Sequence, residues 1–288
     1  MKQITKRNFK DKIFEFLGLF SLLIGLIFLI LLIFSILKSG LTSLNWHFLF
    51  GQLQLANSAI NKMDVGILNA ILGSLLAVTL AMLIAIPFGV LAGIYLEEYL
   101  TKKTINYKLL SIIISNLNGV PSVIYGLLGA TIFLFFQLRG TVLAAGFTLS
   151  LLTLPTIIVI TQEALKTVPL SLKEAAYGLG MTKWQVINAT TLPYAKSNII
   201  TGIIFSLSRA LGETAPLVMI GVSVSVSYNP QSFTDKIAAI PIIINEFTTS
   251  PNTNGLKLAA ATSIVLLVII LIFNLIAVKI RINSQKNK

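Results

Sequence analysis

Apolar residues along this chain arrive in long unbroken runs, without the period-two alternation of a half-buried strand. A helix needs about 20 predominantly apolar residues to cross the hydrocarbon layer of a bilayer. Six segments meet that length: 16–37, 67–96, 109–136, 143–161, 198–222 and 258–280. The missing alternation argues against a membrane barrel. The pattern therefore predicts an all-α integral membrane protein with six transmembrane helices. The first run is too long for a signal-peptide core and lacks a small-residue cleavage site, so it is expected to stay as an anchor. Gly89 and Gly93 form a small-xxx-small pair suited to close helix contact. Pro87 and Pro155 are expected to kink the second and fourth spans.

The polar segments between the runs set an orientation. With the N-terminus inside, the inner segments hold Lys2, Lys6, Arg7, Lys10 and Lys12, then Lys102, Lys103 and Lys108. They also hold Lys166, Lys173, Lys183 and Lys196, then Lys279, Arg281, Lys286 and Lys288. Lys38, Lys62, Arg139, Lys236 and Lys257 fall outside, and Arg209 lies within a span. The positive-inside rule then puts both termini in the cytoplasm. Two outer loops are long, 38–66 and 223–257, and the second contains "KIAAIPIIINEF". That piece is too short to cross and is broken by Pro241, so an interfacial or re-entrant position is expected.

Composition narrows the class. Only 11% of residues are charged and 55% are hydrophobic, with a mean hydropathy of +0.88, whereas soluble domains run near a quarter charged. The net charge of +12 does not signal nucleic acid, because the basic residues sit in short runs between apolar segments. Cysteine is absent, which removes disulfides and thiolate metal sites. His47 has no histidine cluster to join and is expected in a loop, at the surface or the membrane interface. No metal, cofactor or catalytic group is expected.

One inner loop, 162–197, carries two helix-start signals. Ser171 with Glu174, and Thr182 with Gln185, each have the spacing of a capping box. Pro169 stops the helix entering the loop, Gly178 or Gly180 can close the first short helix in the left-handed conformation, and Pro193 marks the next boundary. The loop thus reads as two short helices joined by a glycine turn. Ala175 and Ala176 would let a partner surface approach closely, although a connector packed on its own spans fits the same signals.

Polar residues also occur inside the spans. Ser111, Ser115, Asn118, Ser122 and Tyr125 recur at intervals of four, three, four and three, on one helical face beside Pro121. Gly202, Ser206, Arg209 and Glu213 repeat those intervals in the fifth span. Such stripes either bond helices together, at about 0.6 kcal/mol each, or line a path for a polar solute. A lone Arg at the bilayer centre costs about 2.5–3.5 kcal/mol, part of which Glu213 offsets one turn away. The pair reads either as a neutral lock on helix rotation or as a feature of the path, where Arg209 attracts or gates an anion.

The run "EAAYGLGMTKWQVINATTLP" resembles the EAA loop of ABC importer permeases: Glu-Ala-Ala, three residues, Gly, nine residues, Ile, any residue, Leu-Pro. Glu174, Ala175, Ala176, Gly180, Leu192 and Pro193 match, and Thr190 stands where the pattern has Ile. The resemblance implies a coupling helix that docks on a separate ATPase subunit. The chain has no ATPase motif of its own, since "GLGMTK" lacks phosphate-loop spacing. The segments "NAILGSLLAVTLAMLIAIPFGVLAGIYLEEY", "SNLNGVPSVIYGLLG", "LLTLPTIIVITQEALKTVP" and "SRALGETAPL" resemble the PstA permease family of phosphate-specific ABC importers, over residues 69–217.

That second resemblance implies a type I importer permease (MetI-like) in a bacterial cell membrane, moving inorganic phosphate. It implies three kinds of partner: an ATP-binding subunit dimer (PstB-like), a second permease (PstC-like) and an extracytoplasmic phosphate-binding protein (PstS-like). By it, Arg209 and Glu213 match the family's intramembrane charged pair. The domain division expected is an N-terminal tail, first span and outer loop over 1–66, a permease core over 67–280, and a cytoplasmic tail over 281–288. A PstC-like partner permease, or a permease for molybdate, sulfate or phosphonate, is the nearest alternative. A secondary transporter would need no partner ATPase and has no use for an EAA-type loop. An intramembrane enzyme is disfavoured because Glu213 has no metal-binding or nucleophilic neighbours in the pattern.

Overall fold

The computed structural model describes residues 2–53, 60, 63–100, 104–224 and 226–286. Lys62, Lys102, Lys103 and Lys288, part of the charge balance, lie outside the described residues. Every regular element among them is helical. Four helices are long and apolar enough to cross a membrane by length and composition. They are α1 (Lys2–Gly40), α3 (Leu68–Ile94), α6 (Val142–Lys166) and α12 (Thr253–Lys286). Between them lie α2 (Trp46–Phe50), α4 (Ile105–Asn118), α5 (Ser122–Phe135), α7 (Leu170–Gly178), α8 (Lys183–Val186), α9 (Leu192–Gly212), α10 (Ala215–Met219) and α11 (Ile240–Thr249).

Two of the six predicted spans are not straight crossings. The run 109–136 divides into α4 and α5, bent by 95° at Gly119–Pro121. Pro121 has no N–H to continue the ladder and holds the residue before it out of helical geometry. The run 198–222 stops at Gly212, and α10 is a separate five-residue helix. Pro87 and Pro155, by contrast, sit inside continuous helices.

Helix α6 is the centre of the bundle: two-thirds of its apolar window is buried, against one-third for α3 and none for α1. Small residues explain why α3 lies closest to it. Gly73, Ala77, Ala81, Ala85, Gly89 and Gly93 recur at every fourth position of α3 and are all buried, forming one inclined ridge of minimal height. A methyl group on Gly89 would lie 2.7 Å from Ile157 Cγ2, and one on Gly93 2.6 Å from Thr161 Cβ. The expected small-xxx-small contact is therefore real, and its partner is α6. Helix α9 packs on α6 through Gly202, which faces Ile160, and on α12 through a hydrogen bond between Ser208 and Asn274. The apolar stretch of α1 is largely exposed on every side, and the helix meets α12 where Gly40 abuts Ala260 and Ala261.

The two long loops assigned to the outer side come together. Phe48, Leu53, Val65 and Ile67 share a core with Ile240, Ile243 and Phe247 of α11 and Leu258 of α12. The segment "KIAAIPIIINEF" thus forms a buried helix start, with Ile240 N–H donating to Ser74 Oγ at 2.8 Å. His47 lies on α2 and not in a loop, because Asn45 Oδ1 caps that short helix by accepting from Phe48 N–H. It is exposed, with Nδ1 3.3 Å from Asp64 Oδ1. The opposite, basic end carries a smaller core of Ile94, Leu165, Val168, Ile187, Ala195 and Ile199.

Candidate functional site

The bend at Gly119–Pro121 splits the polar stripe of the third segment. Ser111, Ser115 and Asn118 stay on α4, while Ser122 and Tyr125 belong to α5, so the five residues do not share one face. Two side chains hold the bend. Tyr125, buried, donates its hydroxyl to the Leu117 carbonyl at 2.7 Å, and Asn118 Oδ1 accepts from Thr156 Oγ1 of α6, also at 2.7 Å. Ser115 and Asn118 are exposed, and Ser122 is half-buried in the first turn of α5. That turn comes directly after Pro121 and has no side-chain cap, so its backbone donors and the positive end of the helix face the break.

The charged pair sits at a second break. Arg209 is in the last turn of α9, and Glu213 lies beyond it with extended backbone (φ −73°, ψ 119°). Sequence spacing places both charges mid-span on one helix; here the helix ends between them. Arg209 is favoured at that position because the unpaired carbonyls of a helix end attract a cation. Its Nε donates to Glu213 Oε1 at 3.3 Å, with side-chain exposures of 44% and 18%. Gly202 and Ser206, further down the same helix, are buried against the bundle, Ser206 bonding back to the Gly202 carbonyl. The stripe therefore runs from packed core to exposed guanidinium.

The two breaks lie at the same level. A methyl group on Gly126 would meet Pro216 Cα at 2.6 Å and Met219 Cβ at 2.8 Å. At the far ends, Gly140 abuts Gly221, and Arg139 Nη2 donates to the Met219 carbonyl at 3.2 Å. Helices α5 and α10 therefore run side by side in the same direction, and Ser122 and Glu213, at or just before their starts, share one end. Irregular backbone within a membrane protein is tolerated where it is buried in protein or lines a wet cavity, and transporters build solute sites at such discontinuous helices.

At the basic end the loop 162–197 projects from the bundle. Gly180 adopts φ +78° with open space around it, so the glycine turn falls where predicted. Thr182 and Gln185 make the second capping box. The first box is absent: Pro169 is the cap of α7, the helix begins at Leu170, and Ser171 is already inside it. Pro193 lies in the first turn of α9, as its boundary signal predicts, although the helical path does not break there. A π turn, Ile187–Thr191, joins α8 to α9 with Leu192 N–H reaching the Ile187 carbonyl, and the widened ladder accommodates the proline ring and its missing donor. Of the motif residues, Ala176 is buried, Leu192 is half-buried, and Glu174, Ala175, Gly180 and Pro193 are exposed. Around them Leu170, Leu179 and Trp184 are 72%, 83% and 58% exposed, an apolar surface that the chain itself does not cover.

Sequence reasoning missed what holds this loop. Lys173 Nζ of α7 lies 2.6 Å from Glu98 Oε1, with exposures of 17% and 8%. Lys183 Nζ, opening α8, stands 4.9 Å over the Tyr99 ring. Both acceptors belong to a second π turn, Tyr95–Tyr99, at the end of α3. The signal was present as the acidic dipeptide in "YLEEY" facing a basic loop.

A bundle with two aligned helix breaks and a projecting apolar loop is a membrane permease framework. The profile of binding-protein-dependent transport system inner membrane components matches residues 85–281, and one described only as a domain of unknown function matches residues 1–86. The phosphate transport system permease protein PstA of Yersinia pestis is 35% identical over 96% of this chain and 91% of its own. Its namesake from Pasteurella multocida is 34% identical over 92% of each. A chain of the MetNI methionine ABC transporter, in an inward-facing form, superposes with TM-score 0.57 over 76% of this chain and 94% of its own. At 17% identity that likeness is one of fold. The chain belongs to the PstA family of binding-protein-dependent transport system inner membrane components, multi-pass permeases of ABC importers.

Proposed function

We propose that this chain is the permease subunit that moves inorganic phosphate into a bacterial cell, driven by ATP hydrolysis in a partner. The observation that carries the substrate is the 35% identity, over nearly the full length, to a relative named for phosphate transport. The reading includes six crossings with both termini in the cytoplasm, α4–α5 and α9–α10 each counting as one broken crossing. It keeps the division into a 1–66 N-terminal region, a 67–280 core and a 281–288 tail. The partners are an ATP-binding subunit dimer, a second permease and an external phosphate-binding protein.

Closure of the ATPase dimer would pull on residues 171–189 and rock the helices outward-open. Glu174, Ala175, Ala176 and Gly180 belong to the docking helix and its turn, and Leu192 and Pro193 to the joint with α9. Phosphate released outside would enter between the two permeases and meet the aligned breaks. Arg209 supplies the positive potential. Its contact with Glu213 engages Nε and leaves the Nη nitrogens for a tetrahedral oxyanion. Ser115, Asn118 and Ser122 supply polar lining, with the donors of the first turn of α5 behind them. Tyr125, its hydroxyl committed to Leu117, holds the bend. ATP hydrolysis would then reset the inward-facing state.

The test is radiolabelled phosphate uptake in a strain lacking this chain, complemented with wild type, Arg209→Ala or Glu213→Gln. Uptake restored by wild type and reduced at least tenfold by Arg209→Ala, the loss of a charge-assisted contact of about 1.5–3 kcal/mol, is the expected result. Unchanged uptake in the deletion strain, with loss of another oxyanion, overturns the substrate. Near-normal uptake in both variants overturns the path role and leaves the pair structural.

A further inference from the structure

We propose that the Lys173–Glu98 ion pair is a polar link through which the coupling loop moves α3, beside the apolar contact of Ile94 with Val168 and Ile187, so that breaking it weakens the coupling of ATP hydrolysis to transport. The inference rests on the importer reading above. The loop is joined through the backbone to α6 at one end and α9 at the other, so any displacement of α7 and α8 reaches those two helices directly. Helix α3 has no such connection. It packs closely on α6 along a ridge of glycine and alanine, with Ile157 and Thr161 of α6 seated on Gly89 and Gly93, and meets the loop only at its own end.

Two cations tie the loop to that end. Lys173 on α7 and Lys183 on α8, one on each side of the Gly180 turn, reach the adjacent residues Glu98 and Tyr99. The first contact is short, directional and nearly enclosed, with Glu98 only 8% exposed; enclosure spares it much of the screening that weakens surface pairs. Both acceptors lie in the π turn that ends α3, where Leu100 N–H reaches back to the Tyr95 carbonyl. Such turns insert a wider, locally adjustable ring into a helix. A movement of the loop is therefore delivered to α3 at its end, in step with α6 and α9. Lys173 and Glu98 are positioning residues: neither belongs to the polar residues at the helix breaks.

The experiment uses the permease assembled with its ATPase, second permease and binding protein in vesicles. Lys173→Gln, Glu98→Gln and the exchange Lys173→Glu with Glu98→Lys are compared with wild type for phosphate moved per ATP hydrolysed. Each single variant is expected to lower that ratio by about 2- to 30-fold, the range for coupling residues that touch neither ligand, while hydrolysis continues. The exchange is expected to recover it. A second readout needs no substrate: the ATP-dependent change in distance from a spin label at exposed Leu91 of α3 to one on the ATPase. It should persist in wild type and the exchange and shrink in the singles. Singles that keep both the ratio and the distance change overturn the link. If the singles fail to assemble, the exchange decides: a wild-type ratio supports the link, and an assembled exchange with a low ratio overturns it. Wild-type vesicles that show the distance change but import no phosphate overturn the substrate reading alone.

Discussion

Gly129 of α5 faces Thr148 of α6, and the contact sets how closely the helix after the first break lies on the central helix. A methyl group on Gly129 would be 2.1 Å from Thr148 Oγ1 and 3.1 Å from its Cβ and Cγ2. Carbon–oxygen approaches in proteins are about 3.3–3.6 Å, so Gly129→Ala demands a shift of roughly 1.2 Å in a fully buried place. Overpacking of that kind costs about 1–3 kcal/mol. Thr148 is buried, and its hydroxyl has no hydrogen-bond partner among the described residues. Thr148→Ala alone therefore removes a group already carrying a desolvation penalty and should change stability by less than about 1 kcal/mol. The same change makes room for the added methyl group on α5, leaving only the 3.1 Å contact to relax. The double variant should recover most of the loss, with a coupling energy of about 1–2 kcal/mol. Denaturant unfolding in micelles, monitored by the fluorescence of the two tryptophans, measures all four corners of the cycle. Gly129→Ala as stable as wild type, or a double variant no more stable than Gly129→Ala, refutes the packing argument.

Two further outcomes are expected. Tyr125→Phe deletes the bond to the Leu117 carbonyl, worth about 0.5–1.5 kcal/mol; phosphate uptake should fall several-fold while membrane insertion, read by protease protection, is unchanged. Thr182→Ala removes a made capping box and should cost about 1 kcal/mol, whereas Ser171→Ala, inside a helix capped by Pro169, should leave the unfolding midpoint where it is; equal effects would mean the loop caps are misassigned.

Much of this is legible in the sequence because it obeys short-range rules. Hydrophobic run length marks α1, α3, α6 and α12, and the glycine turn and second capping box of the loop need only local chemistry. The misses share a cause. Apolar periodicity sees which residues avoid water but is blind to where the backbone stops being helical, so Pro121 reads as a neighbour of the stripe and not as its end. Arg209 and Glu213 keep helical spacing although Glu213 is not in the helix. Ser171 satisfies a motif that Pro169, two residues earlier, has already pre-empted. Contacts such as Lys173 with Glu98, 75 positions apart, depend on the fold and have only charge complementarity to announce them.

The π turn before Pro193 gives the helix a phase. Each residue of an α-helix advances its faces by about 100°, and the wide turn at Ile187–Thr191 offsets α8 from α9 by part of such a step. Closing that turn to α geometry with all its residues kept would swing α8, with Trp184 and Lys183, around its axis relative to α9, whereas deleting one residue there would let the helix run straight with its faces nearly where they are. The direction in which the loop presents itself is thus held by one surplus residue stored in a wide turn, so the joint turns the loop by changing how its ladder is bonded and not by changing any side chain.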